Sequence, residues 1–66
     1  MSKYIFKKNI DVNQYNLSEV ASRVGISRQT LSRILNYRQP TNKPYAYAIT
    51  KILNSEKEIA YFFEII

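Results

Sequence analysis

Hydrophobic and polar residues follow one another along this 66-residue chain in patches whose period is mostly helical. Asn16 with Glu19 makes a capping box, in which the Asn side chain accepts from the amide three residues on and the Glu reaches back. Tyr15 and Val20 stand where a hydrophobic staple closes over that start. A helix is predicted from Leu17 to Val24, stopped by Gly25, where the turn asks for positive φ and for room. Ser27 caps a second helix, Arg28 to Asn36. Pro44 suits the first turn of a third, with Tyr45, Ala48, Ile49, Ile52 and Leu53 as its apolar stripe and Asn54 as its end. Ser55 with Glu58 forms another capping box and opens a helix that puts Ile59, Phe62, Phe63 and Ile66 on one face.

The start of the chain reads two ways. Ile5, Phe6 and Ile10 fit a helical face from Lys3 to Asn13, whereas the alternation of Tyr4 and Phe6 fits a short strand. The helix is the favoured reading. One Gly and two Pro in the whole chain also argue for helices joined by short turns. The expectation is a single all-α domain over residues 1–66 with five helices. A chain of this size buries only about 60% of its unfolded surface, so its core is modest.

Composition narrows the chemistry. There is no cysteine, which excludes disulfides and thiolate zinc sites, and no histidine, the commonest metal ligand and general base. The five carboxylates Asp11, Glu19, Glu56, Glu58 and Glu64 show no convergent spacing, so an enzyme is not expected and neither is a metal or cofactor. No apolar run is long enough to span a membrane, and the N-terminus lacks the pattern of a signal peptide. A cytoplasmic location is the expectation, with no small-molecule ligand and no membrane partner.

The net charge of +5 is unevenly spread. Residues 16–43 carry Arg23, Arg28, Arg33, Arg38 and Lys43 against Glu19 alone, while residues 44–66 are slightly acidic. A basic segment attracts polyanions, nucleic acid first among them. That segment also holds the most specific pattern in the chain. Val20, Val24, Ile26, Leu31 and Ile34 are apolar where two crossing helices need a wedge. Ala21 is small where the second helix comes close, and Gly25 falls in the turn. Together they describe a helix-turn-helix over residues 17–36.

With Arg28 set at 0° and about 100° per residue, Ser32 falls at about 40°, Asn36 at about 80°, Gln29 at about 100° and Arg33 at about 140°. Leu31, Ile34 and Leu35 fall on the opposite side, at about 240–340°. Arg suits guanine O6 and N7, and Gln suits adenine N6 and N7, each through two parallel hydrogen bonds. Arg28, Gln29, Arg33, Ser32 and Asn36 are therefore the candidate base-reading residues.

Residues 16–63 resemble the Cro and lambda-repressor class of phage and bacterial regulators. The segment Ser27-Arg28-Gln29-Thr30-Leu31-Ser32-Arg33-Ile34 is similar to the recognition helices of that class. The resemblance implies a compact five-helix domain that binds a pseudo-palindromic operator as a homodimer. It places Arg28, Gln29 and Arg33 at base-reading positions, and Asn16, Ser27, Arg38 and Lys43 at phosphate-contacting ones. Three positions depart from it. Leu17 stands where members often carry Gln, and Leu35 where many carry a Glu paired with an Arg. Tyr37 stands where they often carry Gly, which leaves Asn36 as the candidate for a left-handed conformation.

The surplus of apolar residues at Phe63, Ile65 and Ile66 suggests a dimer interface. The expected function is a DNA-binding regulator, a repressor that occupies an operator. Two alternatives use the same helices: a protein-interaction module, such as an antirepressor or replication-control factor, and an excisionase-like architectural DNA binder whose N-terminal strand pairs with a wing.

Overall fold

Three side-chain oxygens start the three long helices, each by accepting from the backbone N–H three residues on. Asn16 Oδ1 accepts from Glu19 N (3.2 Å) and opens α1, Leu17–Val24. Ser27 Oγ accepts from Thr30 N (3.0 Å) and opens α2, Arg28–Leu35. Asn42 Oδ1 accepts from Tyr45 N (3.1 Å) and opens α3, Lys43–Leu53, with Pro44 in its first turn. Each cap satisfies one of the amides that a helix start leaves without a partner. The computed structural model describes residues 3–66.

Gly25 ends α1 in the left-handed region (φ 93°), and its N–H and that of Ile26 both donate to Ala21 O, at 2.9 and 3.0 Å. A Cβ built at Gly25 meets no atom within 4 Å. The expected need for room is therefore not found, and the glycine answers a conformational demand alone.

α1 packs on α2 and α3. Val20 and Ala21 from α1, Leu31, Ile34 and Leu35 from α2, and Ala46, Ile49 and Thr50 from α3 are buried together. The buried face of α3 is rotated from the expected stripe: Ala46, Ile49 and Thr50 are inside, Ile52 and Leu53 are half-buried, and Tyr45 is exposed. Small side chains at 46 and 50, one turn apart on the helix, make up the innermost part of that face, and a reading that weighs large apolar residues passes over them. The Thr50 hydroxyl is buried there without a hydrogen-bond partner among the described residues.

Both ends of the chain depart from the all-α expectation. Residues 3–13 are not a helix. They form strand β1, Tyr4–Phe6, followed by a 3-10 turn at Val12–Gln14 in which Asp11 Oδ1 accepts from Asn13 N at 3.0 Å. In extended backbone alternate side chains share a face, so Tyr4 and Phe6 both enter the core with Ile5 between them half-buried.

A fifth long helix is also absent. Asn54 to Lys57 make a turn, Glu58 precedes α4 without a side-chain cap, and α4 is one turn long, Ile59–Phe62. The Ser55/Glu58 capping box is not formed. Phe63 is extended (φ −126°, ψ 150°) and begins strand β2, Phe63–Ile65, antiparallel to β1 with Tyr4 opposite Ile65, Ile5 opposite Glu64 and Phe6 opposite Phe63.

The reason lies in three aromatic rings. Phe6 stacks on Phe62 (6.1 Å between centroids) and meets Phe63 edge-on (5.2 Å). Neighbouring residues on a helix diverge by about 100°, so leaving the helix at Phe63 lets both rings cover Phe6. β1 is held on its other side as well. Tyr4 N donates to Thr41 O (2.8 Å) and Thr41 N to Tyr4 O (2.9 Å), which ties the strand to the loop before α3. Among the described residues the architecture is four helices with a small two-stranded sheet that joins the first and last elements.

Candidate nucleic-acid interface

The exposed face of α2 is built by its buried one. Leu31, Ile34 and Leu35 anchor the helix in the core, which turns Arg28, Gln29, Arg33 and Asn36 to solvent. Burial of Leu35 fits its place where an ion pair is often found in similar regulators, since an apolar side chain needs no charged partner. Leu17 packs at the edge of the same core.

At the start of α2 the Ser27 hydroxyl does two things: it accepts from the Thr30 amide and donates to Thr30 Oγ1 at 2.8 Å. This locks the first turn, where Arg28 and Gln29 project. Arg28, Gln29 and Arg33 take part in none of the side-chain hydrogen bonds among the described residues. Their donors and acceptors are open to a ligand. Ser32 and Asn36 differ, because Asn36 Nδ2 donates to the half-buried Ser32 Oγ at 3.0 Å. These two neighbours on the helix surface already satisfy part of each other's capacity.

The helix end differs from the expectation. Asn36 is right-handed (φ −86°, ψ −39°) and its N–H donates to Ser32 O at 2.7 Å, so it continues the turn. The left-handed conformation falls on Arg38 (φ 56°). Gln39 N then donates to Arg33 O (3.0 Å), and Arg38 Nε donates to Phe6 O (3.2 Å). Arg38 is thus half-buried and committed at one nitrogen to β1, with the remaining guanidinium N–H groups unassigned. Nothing in the sequence pattern signalled this tie or the Tyr4–Thr41 pair, because both connect residues far apart in the chain.

The other candidate phosphate contacts lie at helix starts. Asn16 is the exposed cap of α1, Ser27 the exposed cap of α2, and Lys43 the exposed first residue of α3. Helix N-termini direct unpaired amides and a partial positive charge outward, which suits phosphate.

The three residues expected at a dimer interface separate. Phe63 is 2% exposed and belongs to the core of its own domain, so it is withdrawn from that set. Ile65 and Ile66 are 66% and 63% exposed. Ile65 also lines a cleft of about 740 Å³, together with Lys7, Lys43, Tyr47, Glu58 and Glu64 among others. Among the described residues no helix is long and apolar enough to cross a membrane, and no group of three or more acidic, His or Cys side chains forms a metal-binding cluster.

Two short helices crossing through a glycine turn, the second anchored by leucine and isoleucine and presenting Arg and Gln, define a DNA-binding regulatory domain. Residues 12–59 match the model of a helix-turn-helix family, in keeping with the resemblance to the Cro and repressor class, and the chain belongs to that family. No curated protein and no solved structure matches the chain.

Proposed function

We propose that the protein is a transcriptional repressor that inserts α2 into the major groove of a pseudo-palindromic operator as a homodimer. Arg28, Gln29 and Arg33 read base edges, joined by Ser32 and Asn36 where their mutual hydrogen bond opens. Asn16, Ser27, Arg38 and Lys43 contact phosphates and set the register of the helix in the groove. The observation that carries this reading is the polar face of α2, where two arginines and a glutamine stand exposed, their side chains in no hydrogen bond among the described residues.

The homodimer draws support from the outer strand of the sheet. β1 is flanked by β2 and by Thr41, whereas the far edge of β2 has no strand partner among the described residues. An open edge next to exposed Ile65 and Ile66 favours association with a second copy. One reader covers about half a site, so two copies related by a twofold axis fit two half-sites about one helical turn apart. Action on cellular DNA places the protein in the cytoplasm, at the nucleoid.

The architectural alternative draws on the N-terminal strand. The partner of that strand is β2, which follows α4, not a hairpin beside α2, and this favours the regulator. Selection of bound molecules from random duplex DNA tests the proposal. The expected product is a palindrome with half-sites about 10 base pairs apart. Recovery of duplex with no enriched sequence would remove the operator-binding role and leave the protein-interaction module.

A further inference from the structure

We propose that Tyr37 is a DNA contact of this domain, meeting the sugar–phosphate strand that borders the groove entered by α2. The inference rests on α2 being the groove reader. Its first support is geometric. Asn36 keeps helical backbone angles and bonds to Ser32 O, so the turn of α2 runs on to Tyr37. At about 100° per residue, Tyr37 falls about 40° from Arg33 and about 6 Å further along the axis. It therefore stands on the flank of the polar face, beside a cation.

Exposure is the second support. Tyr37 is 80% exposed, more than any other large apolar side chain among the described residues. Its ring has almost no cover from its own chain. The third is that the backbone carrying it is fixed. Gln39 N donates to Arg33 O just beyond it, Arg38 Nε donates to Phe6 O, and Thr41 pairs with Tyr4. A large aromatic side chain held out on a pinned segment, between Asn36 and Arg38, loses little freedom on binding because only two side-chain torsions need ordering. The ring covers deoxyribose while the hydroxyl donates to a phosphate oxygen, a charge-assisted bond. Charge on the surrounding segment favours DNA over an acidic protein surface as the partner to test first: Arg28, Arg33, Arg38 and Lys43 lie within the same stretch of chain.

A contact of this kind carries no base information. Tyr37→Ala should lower affinity about tenfold, equally for the selected operator and for random duplex, and Tyr37→Phe should lose a smaller part of that factor. Because tyrosine is uncharged, the slope of log affinity against log salt should not change in either variant. The wild type supplies a second readout that does not depend on any variant folding. Nitration of surface tyrosines, mapped by mass spectrometry with and without the selected duplex, should show Tyr37 protected in the complex. Tyr61, on α4 and 50% exposed, serves as the internal control and should stay reactive. If duplex binds, and Arg33→Ala weakens it, while Tyr37 nitrates as fast as in the free protein, the inference is wrong and the reader stands. Protection of Tyr61 in place of Tyr37 would overturn both, as would failure of any duplex to bind.

Discussion

The Nε of Arg38 donates to the carbonyl oxygen of Phe6 across 3.2 Å, joining the exit of α2 to the first strand. This bond holds a residue in a backbone region that side chains other than glycine rarely occupy, at φ 56°. The left-handed conformation costs a residue with a Cβ about 1–2 kcal/mol, and the hydrogen bond offsets part of it.

Two substitutions separate the bond from the strain. Arg38→Ala removes the bond and keeps the strained conformation, whereas Arg38→Gly removes both. Arg38→Gly should therefore be more stable than Arg38→Ala by about 1 kcal/mol, a difference of about 4–8 °C in Tm for a domain this small. Equal melting temperatures would show that the positive φ carries no cost here.

At the reader, Arg28→Ala and Gln29→Ala should each cost about 1–3 kcal/mol of specific binding and relax preference at one base pair per half-site. Binding to the selected operator and to random duplex, measured side by side, gives the answer. Equal losses on both would reassign these residues to phosphate.

Gly25 invites a sharper test than its place in a turn suggests. Open space around the missing Cβ means that Gly25→Ala pays only for the backbone angle, so it should destabilise by about 1 kcal/mol. Gly25→Asn should cost less, because asparagine tolerates the left-handed region better. Urea titration of the three proteins should rank them Gly, Asn, Ala. A loss several times larger for alanine would point to a clash.

The two ends of β2 should respond in opposite ways to the same change. Phe63→Glu buries a charge against Phe6 without a partner and should prevent folding. Ile65→Glu changes an exposed position and should leave the far-ultraviolet circular dichroism intact while weakening self-association and cooperative operator binding. Sedimentation with and without a palindromic duplex separates the two effects. An Ile65→Glu protein that still dimerises would move the interface elsewhere.

The helix-turn-helix was legible because its determinants are local. Caps lie three residues from the amides they satisfy, Gly25 sets its own φ, and the buried face of α2 repeats within eight residues. The ends of the chain were not legible for the converse reason. Tyr4 and Phe6 carried a strand signal, but the helical spacing of Ile5, Phe6 and Ile10 was favoured over it, and the decision came from Thr41, Phe62 and Phe63, all distant from the strand in sequence. Ser55 and Glu58 have the spacing of a capping box, yet Lys51 Nζ donates to Lys57 O at 2.9 Å and holds that stretch as a turn. At the candidate site the pattern identified the exposed residues of α2. It missed that Arg38 is partly spoken for and that Phe63 is interior, since both facts depend on contacts with β1.

Pairing of the first strand with the last also sets an order of events during synthesis. β1 leaves the ribosome before anything it bonds to, and Phe6 has no aromatic cover until Phe62 and Phe63 have been added. The first three helices need no such wait, because α1, α2 and α3 are consecutive and α1 packs on both of the others. Closing a longer loop costs more chain entropy, by about 0.6 kcal/mol for each doubling. The sheet is therefore the late-closing seam of the molecule. Weakening it, as by shortening Phe6, should quicken unfolding far more than it slows folding.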